Sequence, residues 1–140
     1  MRNLVPELEE FNPLQWETVA ESKVRYADLR IRTKSYALSV VRLYTGLPSS
    51  ELARTLGRQL LRSGTSVGAH YREAYRARSV AEFVSKIEVL LQELDESIYW
   101  LELIVEAGVC SDGQTIAITK EAEQLVAIFT ASVKTAKANR

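Results

Sequence analysis

The stretch Gln59–Phe83, QLLRSGTSVGAHYREAYRARSVAEF, decides the fold. Leu60, Ser63, Val67, Tyr71 and Ala74 recur at steps of three and four, which is one face of a helix. Leu52 and Leu56 extend that face backwards to a start near Ser49 or Ser50. Beside it, Gly57, Leu61, Gly64 and Gly68 form a second stripe. Each glycine costs about 1 kcal/mol against alanine in an exposed helix interior. Three such costs imply a gain from having no side chain, and a neighbouring helix at short distance supplies one. The alternative reading is a bend at Gly64. Ser79, Val80, Ala81 and Glu82 then have the form of a capping box, which opens a further helix.

Working outward, Leu29, Tyr36, Val40 and Leu43 predict a first helix over about 28–44, with Asp28 as N-cap and Gly46-Leu47-Pro48 as the stop. The short link to the second helix favours antiparallel neighbours. Phe83, Ile87, Leu90, Leu94, Ile98, Leu101 and Val105 make a long stripe on the third helix, widened by Val84, Leu91, Tyr99, Trp100, Leu103 and Ile104. That perimeter is broader than one buried face needs, so this helix is central or touches another subunit. Gly108 ends it. Asp112-Gly113 reads as a turn, Thr115–Ile118 as briefly extended, and a fourth helix follows from Thr119 with Ala122, Leu125, Phe129, Val133 and Ala136 inward. The expected fold is all-α, an antiparallel up-down-up-down four-helix bundle over 26–140. Residues 1–25 form an acidic leader, partly ordered, with Glu7, Glu9 and Glu10 between Pro6 and Pro13.

With 140 residues, 46% of them apolar, the chain has the size of one domain with a sizeable core. Eighteen basic and eighteen acidic residues give zero formal charge, which argues mildly against a broad nucleic-acid surface. Cys110 is the only cysteine, so no intramolecular disulfide forms and a reduced, cytoplasmic setting is the expectation. No apolar run approaches the roughly 20 residues that cross a bilayer, and the opening MRNLVPELEEFNP does not read as a signal peptide. No membrane association is expected.

The charges segregate. Six arginines and one acid, Glu73, lie between Arg54 and Arg78; seven acids and one lysine, Lys86, lie between Glu82 and Glu106. Arg54, Arg58 and Arg62 stack at four-residue spacing, which is slightly unfavourable in an isolated helix. Acids on the next helix are the simplest remedy. The rival reading is a nucleic-acid-binding stripe of Arg54, Arg58, Arg62, Arg72 and Arg76.

Catalytic chemistry finds little support. His70 is the only histidine; its i,i+3 partner is Glu73, a pair more suited to orienting an imidazole than to acid–base work. There is no HExxH, CxxC, Walker or dinucleotide motif. The Glu-x-x-His pattern of di-iron bundles is missing and its order at position 70 is reversed. Ser63, Thr65 and Ser66 around Gly64 suit packing, with hydroxyls returned to their own helix. Tyr99-Trp100 suits a core or interface pair better than a ligand cage. No catalytic, cofactor or metal site is expected.

The patterns QLLRSGTSVGAHYREA, ARS..EF..K and E..ESIYWLELI resemble the four helix bundle proteins first noticed as reading frames in intervening sequences of bacterial large-subunit ribosomal RNA genes. The resemblance covers about Lys34–Gly108 strongly and the fourth helix loosely. Gln59, Arg62, Ser63, Gly64, Ser66, Gly68, Arg72, Glu73 and Ala74 match the second helix, and Ser79, Phe83 and Lys86 the start of the third. Glu93, Glu96, Tyr99, Trp100 and Leu101 match its second half. The resemblance implies a left-handed bundle in a ring-shaped homopentamer, with no settled function and no known enzymatic activity. A distant, more basic relative serves the reverse transcriptase of diversity-generating retroelements and binds nucleic acid and that enzyme. His70 departs from the usual Asn, and imidazole replaces only some amide hydrogen bonds. Leu94 stands where a small residue is usual.

Together these readings predict a homo-oligomeric, non-enzymatic scaffold or adaptor for an unidentified protein partner. Nucleic-acid binding is the alternative, weak because the net charge is zero. The residues expected to interact are Arg58, Arg62, Gly64, Gly68, His70, Arg72, Glu73, Glu96, Tyr99 and Trp100.

Overall fold

The computed structural model describes the backbone of residues 19–139 and the side chains of residues 29–139. Four helices follow one another: α1 (Val19–Gly46), α2 (Glu51–Tyr75), α3 (Val80–Glu106) and α4 (Asp112–Ala138). Among the described residues there is no strand. Each helix packs on its neighbours in sequence, and α1 also meets α4. Cross-helix contacts run in opposite chain directions at every seam. Gly57 lies near Tyr44 and Gly68 near Thr33; Arg62 meets Glu96 and Glu73 meets Lys86; Lys137 meets Glu88 while Glu106 and Asp112 line one groove; Arg32 meets Glu121 while Ser39 and Ala117 line one cleft. The molecule is therefore an up-down-up-down four-helix bundle.

The core follows the predicted stripes. Tyr36 and Val40 of α1, Leu60, Val67 and Tyr71 of α2, Phe83, Ile87, Leu90, Leu94, Leu101 and Ile104 of α3, and Leu125 and Phe129 of α4 are all but inaccessible to solvent. The Tyr71 and Phe129 rings meet at 5.4 Å. Leu91, Ile98, Trp100 and Leu103 pack on this core from the flanks of α3, so most of its broad apolar perimeter is used within the chain.

Two boundaries and one buried position differ from the sequence reading. Helix α1 starts at Val19, so Asp28 lies inside it rather than capping it. No Gly or Pro interrupts Val19–Thr45, and nothing local stops the helix there. Residues 1–18 of the leader lie outside the described residues. Helix α4 starts at Asp112, not Thr119, and Thr115–Ile118 are helical. The Ser111 N–H donates to Gln114 Oε1 at 3.1 Å, one half of a capping box. Asp112 in the first turn favours the helix dipole. Leu52 is half exposed, and Ala53 takes the buried place at the start of α2.

Other stops behave as read. Ser50 and Ser79 accept from the N–H of Ala53 and Glu82, both at 3.1 Å. Gly108 takes φ +75° just after α3, a left-handed conformation that suits glycine.

The glycine stripe faces α1, and α2 runs unbroken through Gly64. A Cβ at Gly64 would lie 2.8–3.1 Å from the Val40 side chain; one at Gly57 would lie 2.9 Å from Leu47 and Tyr44. At Gly68 the same atom would meet Thr33 at 3.5 Å, an ordinary contact. The close approach is thus at Gly57 and Gly64, and Gly68 has room.

Candidate interaction surfaces

The interior of the α2/α3 seam is polar at one point. Ser97 Oγ donates to the Glu93 carbonyl at 2.8 Å and lies within hydrogen-bond distance of Ser63 Oγ at 3.2 Å, both serines being fully buried. The Tyr36 hydroxyl lies beside Ser97; burial pushes it up to about 12, the serine opposing and the Glu121 charge adding to the rise.

On the rim of the same seam, Arg62 reaches Glu96 at 2.7 Å and Glu93 at 3.5 Å. The Glu96 hydrogen bond, and both acids, raise the Arg62 guanidinium above its ordinary value. Nearer the other end, Lys86 bonds Glu73 at 3.2 Å and His70 Nδ1 stands 3.5 Å from the same carboxylate. Lys86 first, then His70, hold the Glu73 carboxyl below the usual range. Thus Arg62, Glu96, His70 and Glu73 mark the seam's outer edge. Gly64 is buried under α1 and Gly68 lines the α1/α2 groove, so neither belongs to that edge.

The expectation that acids on α3 answer the arginines of α2 holds for Arg62 alone. Arg54 donates to the Ser49 carbonyl. Arg58, Arg72 and Arg76 are exposed and make no ion pair among the described residues. With Arg54 they line the outer face of α2, because 54, 58, 72 and 76 fall within about 40° on a helical wheel. Arg72 also borders a groove of about 260 Å³ between α1 and α2, with Arg30 and Lys34 opposite; no acid lines it. Arg30 stacks on the Tyr75 ring at 4.9 Å, a feature the sequence reading missed. A cation and an aromatic on different helices leave no local signature.

Tyr99 and Trp100 meet edge to face at 5.0 Å. Tyr99 is 54% exposed, whereas Trp100 is half-buried and its indole N–H has no hydrogen-bond partner among the described residues. A second groove, about 340 Å³, runs between α3 and α4 near their connection, over Leu101, Val105 and Ile116 and between Glu102, Glu106, Asp112 and Glu123. The sequence gives no sign of it, because Val109–Ile118 reads as a connection whereas α4 starts at Asp112.

Burial raises the Cys110 thiol, which lowers its thiolate fraction and its reactivity. Among the described residues no three His, Cys, Asp or Glu side chains are grouped to hold a metal ion. No helix of the described chain is long and apolar enough to cross a membrane.

The architecture is shared. A protein of unknown function from the S23 ribosomal protein family of Bacteroides thetaiotaomicron, whose crystal structure extends to 1.70 Å, is 30% identical. The match covers 78% of this chain and 97% of that one, with a TM-score of 0.73. No curated protein matches the sequence. The profile of the 23S rRNA-intervening sequence proteins matches residues 27–131, which include nearly all of the bundle and the whole α2/α3 seam. This chain belongs to the 23S rRNA-intervening sequence protein family.

Proposed function

We propose that the protein is a non-enzymatic helical scaffold that works in the cytoplasm as a homo-oligomer, a pentamer as the family resemblance implies, and presents its outer faces to a protein partner. One observation carries this reading. After the core has closed, large apolar side chains remain exposed on all four helices: Ile31 and Leu38 on α1, Leu52 and Tyr75 on α2, Tyr99 on α3 and Ile116 on α4. Apolar surface spread in this way suits contact with other protein surfaces. Light scattering across a concentration series is expected to give a mass near five times 15.7 kDa. A stable monomer at micromolar concentration overturns it.

The exposed line of Arg54, Arg58, Arg72 and Arg76 supports a second reading, an accessory that binds nucleic acid through α2. Phosphate contact would make such binding weak and steeply salt-dependent. Fluorescence anisotropy with labelled duplex DNA and single-stranded RNA, at about 50 and 150 mM salt, separates the two. Submicromolar binding at the higher salt, lost in Arg58→Glu/Arg72→Glu at unchanged mass, makes the second reading the function.

A further inference from the structure

We infer that the outer ridge of α1 docks into the α3/α4 groove of a second copy of this chain; the inference rests on the assembly proposed above and names its interface. Ile31, Lys34, Leu38 and Arg42 follow at steps of three, four and four, so they form one line along α1. That line lies opposite the buried Leu29, Tyr36, Val40 and Leu43. Ile31 is 65% exposed and Leu38 42%. Lys34 and Arg42 are exposed and make no ion pair among the described residues. The ridge is therefore apolar, flanked by two free cations.

The α3/α4 groove is its counterpart. Its apolar floor includes Ile116, 48% exposed. Glu102, Glu106, Asp112 and Glu123 border it, against the single cation Lys120. None of these four acids is in an ion pair among the described residues. An apolar trough edged by unanswered carboxylates accepts an apolar ridge edged by cations, and the pairing rejects acidic or wholly polar partners.

Size and level agree as well. Ile31–Arg42 and Asp112–Glu123 each span eleven steps, about 16 Å of helix. Within one chain Arg32 bonds Glu121, and α1 and α4 run in opposite directions. Leu38 therefore lies level with Thr115 and Ile116, and Arg42 with the Asp112 end. Ridge and groove occupy the same height of the bundle, so a second copy with its axis parallel meets them side by side with no axial offset. The two surfaces differ, which makes the contact head-to-tail, so each copy offers one ridge and one groove to its neighbours.

The test uses the full chain in three forms: Lys34→Glu/Arg42→Glu, Glu102→Lys/Glu106→Lys, and all four substitutions together. All four positions are exposed, and circular dichroism checks that helicity is kept. Sedimentation is expected to show each pair variant dissociating at concentrations about tenfold or more above wild type, and the fourfold variant reassembling because the charges are exchanged. Independently, Leu38→Cys/Ile116→Cys in a Cys110→Ser chain is expected to give chain-to-chain disulfides under mild oxidation. Pair variants that assemble like wild type, a fourfold variant that stays dissociated, or disulfides confined within one chain each overturn the interface while leaving the assembly itself standing. A wild-type monomer at every concentration overturns both.

Discussion

Substituting Gly64 by alanine inserts one methyl group where α1 and α2 approach most closely. Its carbon would stand 2.8, 2.9 and 3.1 Å from Cγ2, Cγ1 and Cβ of Val40. Carbon atoms settle at about 3.5–4.0 Å, so the surfaces must part by ~0.7 Å or more. Val40 cannot turn aside. It is fully buried, β-branched and stiff at χ1, and one clashing atom is its own Cβ. Strain near the upper end of the overpacking range, about 3 kcal/mol, is the expectation. Alanine returns about 1 kcal/mol of helix propensity. The net prediction for Gly64→Ala is a loss of about 2 kcal/mol, or roughly 6–8 °C in Tm for a chain of this size. Gly68→Ala gains the same propensity and meets Thr33 only at 3.5 Å, so its Tm rises by roughly 3–4 °C. Thermal and urea unfolding followed by far-ultraviolet circular dichroism measure both, with light scattering to hold the assembly state in view. If Gly64→Ala matched or exceeded wild type, the close approach of α1 and α2 at Val40 would be refuted.

Two further outcomes follow from the α2/α3 seam and its surroundings. The Tyr36 hydroxyl is held up to about 12, whereas an unfolded tyrosine releases its proton near 10. The unfolded state therefore loses its proton first, and stability falls as pH rises through that window, by roughly 3 kcal/mol in all. Tyr36→Phe is expected to fold normally at pH 7 and to remove this part of the loss; parallel urea-stability profiles for the two proteins between pH 9 and 12 would disprove it. Arg62 and Glu96 are both largely exposed, so a double-mutant cycle with Arg62→Ala and Glu96→Ala is expected to give at most about 1 kcal/mol of coupling, reduced in ~1 M salt. A coupling above about 2 kcal/mol would show that the ion pair helps set the fold.

Most of the bundle was legible because its signals are local and periodic. Leu52 and Tyr99 apart, the apolar positions of the second and third helices fall inside the chain as spaced, and Ser79 caps as its box pattern indicates. What failed were places where one residue type has two uses. Asp112-Gly113 is a turn signal, yet an aspartate in the first turn also suits a helix, and Ser111 with Gln114 chose the latter. Asp28 looked like a cap, but nothing upstream stopped the helix. The glycine stripe was legible as a close contact, not as to which glycines are tight: Val40 and Tyr44 decide that from 13 or more residues away in sequence. The candidate surfaces were least legible. Five arginines at regular spacing invited acids opposite them, and only Arg62 lies near enough to α3 to find any. The α3/α4 groove needed the true start of α4, and the Arg30–Tyr75 stack joins helices whose partners no spacing reveals.

The pair of buried hydroxyls between α2 and α3 has a consequence for how the two helices find their alignment. Ser63 and Ser97 meet only at one setting. Sliding α3 by a turn would bring Leu94 or Leu101 against Ser63 and would leave both hydroxyls facing hydrocarbon. Each stranded group would cost about 1–3 kcal/mol, although each can still turn back to its own helix. Neighbouring leucines tolerate small slips, because one apolar surface resembles another. A hydroxyl pair does not. It acts as an index mark on an otherwise smooth scale, and it fixes where every charge on the rim of the seam comes to stand.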